Sequence, residues 1–461
     1  MEVESFHSKK NMASYGFGIM SREFVQIAFN VLVFFYYEVE LGLNVLYIGL
    51  ALVIFAIYNA INDPLVGYLT DRPFKFTKKW GRRFPWILIG GIPLGFCYLL
   101  VFTPPRVDAK SGAWILFGWL VFTTCLFDTF HSIFFVNLQS LYPDKFRSIQ
   151  ERRKVVIFQI ILGALGVAFG AMIPPLFYNF GDLNSYIFQG FIVLVIGIVT
   201  MLLAIPGVRE DKETIELYLS SVKKDIKRDS FLKSMKVAFK QRSFVAYMLL
   251  YAMYWVMINS MEASIPYVVR FILNMPASAT TLIMACFLLG ALASVPFWYK
   301  IAQKVNDNGK IMLIASILMA VLVTPMIFLE SFILILISVF VWGVAQGGFW
   351  AMIFPVFSDV IDESVVKNEK REEGTYIGIQ QFFGRIGLAI QIVIFTVVHS
   401  LTGFVEGSET QSAQAIWGIH LHLALVPMIC MLVGALIFWR VYDLKPEKVS
   451  ANQQRIKELK L

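Results

Sequence analysis

The sequence predicts an all-α polytopic membrane protein: twelve transmembrane helices in two six-helix halves, with both termini cytoplasmic. Three observations carry that prediction. Of 461 residues, 57% are hydrophobic and only 16% charged, with a mean hydropathy of +0.67, where an ordinary soluble domain is about a quarter charged. A water-soluble chain of this size has nowhere to put so much apolar surface, which excludes typical soluble enzymes and disordered or fibrous chains. The apolar residues gather into spans of bilayer-crossing length, and the basic residues lie almost wholly on one side of them.

Taken in order, the first six spans are Tyr15–Val39, Leu43–Leu69, Pro85–Thr103, Ala113–Ser140, Val155–Tyr178 and Tyr186–Ile205. The second six are Phe244–Phe271, Thr280–Tyr299, Ile311–Leu329, Phe332–Ser358, Gly374–Thr402 and Ala415–Val441. On one side, Lys and Arg number 3 at the N-terminal end (Lys9, Lys10 and Arg22 near the start of the first span), 6 in 70–84, 5 in 142–154 and 10 in 206–242. That side adds 3 around 300–310, 3 in 359–373 and 6 in the tail, making 36 of the 40. The other side has Arg106, Lys110 and Arg270, and Arg385 lies inside a span. By the positive-inside rule the termini face the cytoplasm and the span number is even. The net charge of +8 follows this topology, so the expected partner is a lipid bilayer and not a nucleic acid. The chain is expected to act as a monomer.

The chain thus divides into a cytoplasmic segment 1–14, a bundle 15–205, a basic linker 206–243, a bundle 244–441 and a cytoplasmic tail 442–461. The N-terminus is polar and lacks the apolar core of a cleavable signal, so the first span is expected to stay in the mature protein. In the linker, Ile215, Leu219, Val222 and Ile226 recur at helical spacing among lysines and arginines. An amphipathic helix on the membrane face and a solvated linker helix both fit. Cys97, Cys125, Cys286 and Cys430 all fall in apolar spans, which argues for packing thiols and against a disulfide framework.

Small residues suggest close helix contacts at Gly163, Gly166 and Gly170, at Gly343 and Gly347, and at Gly374 and Gly378. Prolines 93, 174, 266, 296, 325, 355 and 427 mark candidate bends. A six-plus-six layout is that of a transporter with its site near the midplane between two halves.

Ionised groups inside a membrane are expensive and therefore functional candidates. Here they are Glu23, Asp63, Asp128, Glu262 and Arg385, with His131 beside Asp128. Asn59, Asn62 and Asp63 share one helical face; their oxygens suit a small hard cation, and a lone buried carboxylate suits a proton. A structural pairing of Asp63 with Arg385 is the alternative. Asp128, Thr129 and Ser132 form another such turn, with hydrogen bonding to a neighbouring helix as its structural alternative. Arg385 keeps its proton and needs a carboxylate partner, for which Asp63, Asp128 and Glu23 are candidates. Asn259 stands one turn before Glu262, and Tyr15 and Trp350 are candidate aromatic platforms. At the cytoplasmic ends, Asp71 and Arg72 precede Gly81-Arg82-Arg83, and Asp359 and Asp362 precede Lys370-Arg371. Such charges can lock and unlock helix ends, or simply set topology.

The blocks Tyr15-Gly-Phe-Gly18, Asn62-Asp63-Pro64-Leu-Val-Gly67, Trp80-Gly-Arg-Arg-Phe-Pro-Trp86 and Asp359-Val-Ile-Asp362 resemble the glycoside–pentoside–hexuronide:cation symporters, the melibiose-permease-like family of the major facilitator superfamily. The resemblance runs over essentially the whole chain and implies a major facilitator fold working by alternating access. It puts Asp63 and Asn62 on the family's cation site, Thr129 at a hydroxyl near it, and Trp350 beside the sugar pocket. Glu23 stands where the family has a sugar-binding aspartate and Arg385 where it has a lysine. Asn59 replaces a second cation-binding aspartate, Ser132 an acidic residue and Gln159 a sugar-holding arginine.

The expectation is a non-enzymatic, cation-coupled symporter of a sugar or glycoside in the plasma membrane. Asp63, Asn59, Asn62, Thr129 and Asp128 would form the coupling-ion site; Glu23, Asp128, Gln159, Trp350, Arg385 and Glu262 would serve the substrate. Asp71, Arg72, Arg82, Arg83, Asp359, Asp362 and Arg371 would be gating charges. No resident cofactor and no catalytic residue is expected. The coupling ion is a proton or sodium, a sodium ion at Asp63 being the sole metal expected. A lysolipid or amphiphile carrier and a non-transporting membrane sensor are the rival readings. An integral membrane enzyme is disfavoured because His420 and His422, two residues apart, point to opposite sides of a regular helix.

Overall fold

The computed structural model describes residues 7–70, 72, 74–221, 236, 238–368 and 373–459. It is helical, with no β-strand among the described residues. Twelve helical stretches there are long and apolar enough to cross a membrane. Contacts divide the chain into two compact units. One comprises Met1–Ile226 with Met275–Thr281 and Glu406–Glu409; the other comprises Lys227–Asn274, Leu282–Val405 and Thr410–Leu461.

The first unit holds α1 (Lys9–Phe35), α2 (Val45–Thr70), the short α3 (Thr77–Trp80), α4 (Phe84–Val101), α5 (Ala113–Lys145), α6 (Ile149–Met172), α7 (Leu183–Val208) and α8 (Lys212–Ser221). Helix starts follow local chemistry. Ser8, Ser148 and Asp182 each accept a backbone N–H of the first turn of α1, α6 and α7, satisfying donors that a helix start leaves unpaired. The glycine stripe of α6 does what its spacing predicts: a Cβ on Gly166 would stand 2.5 Å from the Met20 carbonyl oxygen of α1. Without side chains there, the two backbones touch. The predicted fifth span ends early, because Pro174 and Pro175 lack the N–H an α-helix needs and form a 3₁₀ turn, Pro174–Leu176.

The second unit holds α9 (Arg242–Tyr267), α10 (Ala279–Val305, whose first residues belong to the first unit), α11 (Asn308–Val323), α12 (Phe332–Asn368), α13 (Glu373–Thr402), α14 (Ala413–His420), α15 (Val426–Val441) and α16 (Pro446–Leu459). Gly343 of α12 lies against α10, where a Cβ would be 2.4 Å from the Phe287 carbonyl oxygen. In α13 Gly378 is exposed, and the surroundings of Gly374 lie outside what is described. Gly387 makes a close approach, its Cβ position 2.8 Å from the Ala252 carbonyl oxygen.

Several helices run past their predicted spans. α12 has 37 residues, about 55 Å at 1.5 Å per residue, against a bilayer core of about 30 Å. Its last turns carry Asp359, Glu363 and Lys367 beyond the predicted apolar end at Ser358. α5 likewise continues from Ser140 to Lys145. The linker helix predicted from Ile215 and Leu219 is present as α8; Val222 and Ile226 lie outside the described residues. The first long helix of each unit ends in a π-helical turn, Tyr36–Glu40 and Val268–Ile272. This common irregularity is one that sequence similarity between the halves does not reveal.

Candidate functional site

In the first unit, α2 and α5 pack side by side and bring the predicted polar turns face to face. Asp128 is the hub and is only 2% exposed. Its Oδ2 accepts from Asn62 Nδ2 at 2.9 Å, and the same amide reaches the Asp128 carbonyl at 3.2 Å. Asn59 Nδ2 donates to Asp128 Oδ1. One turn on, the Ser132 hydroxyl donates to Asp63 Oδ1. Two carboxylates on adjacent helices thus each accept from neutral donors, amides at Asp128 and a hydroxyl at Asp63.

Thr129 is engaged elsewhere. Its hydroxyl donates to the Cys125 carbonyl at 2.8 Å and contacts Tyr58 Oη at 2.7 Å. A hydroxyl has one proton to give, so Tyr58 is the donor in that second contact. The hydroxyl that reaches Asp63 belongs to Ser132. Among the described residues no group of three or more His, Cys, Asp or Glu side chains converges as a metal site. A cation held here would draw mainly on amide, hydroxyl and carboxylate oxygens.

On α1, Glu23 pairs with Arg22. The Arg22 guanidinium lies over the Phe135 ring, 4.2 Å from its centroid, and its Nε donates to His131 Nε2 at 3.3 Å. His131 is the acceptor in that contact and so carries its proton on Nδ1. Arg22 escapes a sequence reading because it falls near the start of its span and counts with the N-terminal charges; the apolar run Tyr15–Met20 before it was the available signal. Glu38, fully buried at the far end of the same span, escapes for the mirror-image reason. Gln159 on α6 lies against the Tyr15 hydroxyl, which donates to the Leu138 carbonyl at 2.7 Å. Tyr15 is wholly buried and acts as packing, not as a platform.

In the second unit, Trp350 Nε1 and Gln346 Nε2 both donate to the Tyr254 hydroxyl, at 2.7 and 2.8 Å. Glu262 borders a cavity of about 20 Å³ between α9, α10 and α12, walled by apolar groups such as Ile258, Met284 and Trp342. Asn259 turns back to the Trp255 carbonyl at 2.8 Å rather than toward a ligand. Arg385 is half-buried on α13. His420 and His422 do go separate ways, although a π turn, Leu421–Leu425, supplies irregular backbone. His420 contacts the Met326 carbonyl at 3.1 Å and His422 contacts Ser264 at 2.6 Å.

A family pattern described as MFS/sugar transport protein matches residues 14–445. The chain belongs to that family. This major facilitator protein is 23% identical to the isoprimeverose transporter of Lactiplantibacillus pentosus over 92% of its own length and 87% of the relative's. It is 21% identical to the sodium-dependent lysophosphatidylcholine symporter 1-A of Danio rerio, covering 90% of this chain and 82% of that one. A solved D-xylose–proton symporter superposes with a TM-score of 0.60 at 14% identity, over 95% of this chain and 98% of the other, which establishes the shared fold. The resemblance to glycoside:cation symporters is thus matched by the family pattern.

The described charge residues of this MFS/sugar transport protein have the following contacts. Arg82 pairs with Asp144 at 2.6 Å and lies over the Tyr218 ring. Arg83 is buried and donates to Asn137 Oδ1 at 3.1 Å. Gly81 has φ +91°, and a Cβ there would stand 2.1 Å from Glu210 Oε2. That space admits the Glu210 carboxylate, which accepts the Arg83 and Phe84 backbone N–H groups at 2.7 and 3.0 Å and so caps α4. Arg72, just past the end of α2, bonds Tyr68 in the last turn of that helix. Asp71 and Arg371 lie outside the described residues.

In the second half Asp359 accepts from Asn308 at 3.0 Å, and Asp362 is half-buried nearby. The principal hub is Glu363, which the sequence does not single out. It is bonded by Gln241 at 2.6 Å, Lys448 at 2.7 Å and Lys367 at 2.9 Å.

Proposed function

We propose that this multi-pass membrane transporter is a secondary active symporter that moves a sugar or glycoside by alternating access, driven by a coupling cation. The observation that carries the reading is the pair Asp128 and Asp63. Both lie on membrane-crossing helices of a sugar-transport family member and both have neutral hydrogen-bond donors. Protonation or cation binding at such a carboxylate changes which neighbours it can hold, a direct route from ion binding to helix rearrangement.

The coupling ion in this reading is the proton, because amides stand where further carboxylates would strengthen a sodium site. Arg22, Glu23 and Gln159 supply polar groups for sugar hydroxyls, and Trp350 an aromatic face. Arg385 supplies a permanent positive charge that couples substrate and ion occupancy. The protein works as a monomer in the plasma membrane with both termini cytoplasmic, and it catalyses no covalent chemistry.

Uptake of labelled glycosides into proteoliposomes under a proton gradient or a sodium gradient tests this, with Asp63→Asn in parallel. Accumulation under the proton gradient, lost in the variant, is the expected result. Failure of every glycoside under both gradients overturns it. The likeness to relatives named as lysophosphatidylcholine symporters supports a second reading, in which lysolipid and not sugar accumulates in the same assay.

A further inference from the structure

A cavity of about 320 Å³ opens where the start of α11 meets the end of α15, lined by Asp307, Lys310, Phe438, Trp439, Tyr442 and Lys445 among others. Its walls explain themselves. Gly309 has no side chain, and a Cβ there would come within 2.6 Å of the Tyr442 ring, so the tyrosine lies flat against the helix start. Phe438 stacks on Tyr442 with centroids 4.3 Å apart.

The polar inventory of the cavity is incomplete. Among the described residues neither the Lys310 nor the Lys445 ammonium has an ion-pair or hydrogen-bond partner, and the buried Tyr442 hydroxyl has none either. Asp307 is used at the backbone, where it accepts the Lys310 N–H at 2.8 Å and caps α11. Burial and the carboxylates of Asp359 and Asp307 push the Tyr442 hydroxyl up, so it remains a neutral donor.

The surroundings point to lipid. Trp439 is 59% exposed and carries the Arg440 guanidinium over its ring, the arrangement of an interfacial aromatic anchor. From the cavity, exposed Ile317 and Val321 on α11 and Val433 and Leu436 on α15 run along two membrane-crossing stretches. A free phosphate would use the lysines and leave that apolar track idle.

We propose that this cavity binds one anionic phospholipid, with its phosphate between Lys310 and Lys445 and an acyl chain along the α11–α15 face. Basic pockets between helix ends at the membrane surface have the chemistry for such headgroups. The site shares no residue with the proposed transport site, so it stands or falls independently of that reading.

Native mass spectrometry of the full-length protein with equimolar phosphatidylglycerol and phosphatidylcholine tests the proposal. One phosphatidylglycerol is expected to bind in clear excess, and Lys310→Gln with Lys445→Gln should weaken it by about 30-fold, the effect of two interfacial lysines. Gly309→Ala, which drives Tyr442 into the cavity and leaves both lysines, should also abolish the excess. Lys300→Gln with Lys304→Gln should preserve it. Equal binding of the two lipids, an unchanged excess in either cavity variant, loss in the Lys300/Lys304 control, or displacement by millimolar glycerol phosphate would each overturn the assignment. Unchanged melting of the variants separates loss of the site from loss of the fold.

Discussion

The side-chain amide of Asn62 holds Asp128 at two points, the carboxylate Oδ2 at 2.9 Å and the backbone carbonyl at 3.2 Å. One amide thus fixes both the rotamer of Asp128 and its height on α5. Asn59 takes the other carboxylate oxygen from one turn away. Both donors are neutral, so the carboxylate is oriented without being neutralised. These two hydrogen bonds thus hold the Asp128 carboxyl group in a fixed position without supplying a countercharge.

Asp128→Asn should separate coupling from substrate handling. The new amide must turn an NH₂ toward Asn59 or Asn62, setting donor against donor in a buried site at a cost of about 1–3 kcal/mol. The expected outcome is loss of gradient-driven accumulation with retention of substrate exchange, and a lower melting midpoint. Equal accumulation by wild type and variant in proteoliposomes would remove Asp128 from the coupling path.

Arg22 makes three contacts of different kinds: an ion pair with Glu23, a hydrogen bond to His131 and a stack on Phe135. Only a planar, multi-donor cation satisfies all three, so lysine is not a conservative replacement. Arg22→Lys should weaken substrate binding by about tenfold, or 1.4 kcal/mol, while Phe135→Leu, which removes only the stack, should cost less. Equilibrium binding of the transported glycoside to both variants checks the order. A smaller effect in Arg22→Lys than in Phe135→Leu would contradict it.

How much of this was legible in the sequence depended on whether the signal was local. The spacing of Asn59, Asn62 and Asp63, and of Asp128 and Ser132, already put these residues on helical faces, and the structure turns the two faces together. The contact of Gly166 with α1 was equally readable. Arg22 and Glu38 were missed because an apolar window has no sharp end, so charges near its edges count with the loops. Glu210 and Glu363 were missed for another reason. Their partners, the backbone at Arg83 and the side chains of Gln241 and Lys448, are more than 80 residues away in sequence, and no periodicity encodes such a meeting.

Glu210 makes a pH prediction with a definite sign. Burial pushes its carboxyl above the usual range, against the lowering effect of the Phe84 and Arg83 backbone hydrogen bonds. A carboxyl whose folded-state value is raised stabilises the fold fully below its unfolded value, about 4.3. That contribution is lost as pH rises through the folded value. Glu210→Gln keeps an acceptor oxygen for the α4 cap and removes the buried charge. It should therefore flatten the melting-temperature profile above pH 4 with little loss at neutral pH. Glu210→Ala also removes the cap and should cost about 1–2 kcal/mol at every pH. Differential scanning fluorimetry from pH 4 to 8 distinguishes the two.

Ser264 and His422 allow a protonation state to be deduced from geometry. The serine hydroxyl donates to the Ser260 carbonyl at 2.5 Å, which uses its single proton. Its 2.6 Å contact with His422 Nδ1 therefore has the imidazole N–H as donor, and Nε2, buried with no hydrogen-bond partner among the described residues, is unprotonated in the neutral ring. Ser264→Ala strands that N–H in an apolar setting and should cost about 1–3 kcal/mol. Replacing both partners removes donor and acceptor together, which is far less costly than orphaning one. The double variant Ser264→Ala with His422→Leu should consequently melt higher than Ser264→Ala alone. If it melts lower by the sum of the two single effects, the contact contributes nothing and the tautomer deduced here is wrong.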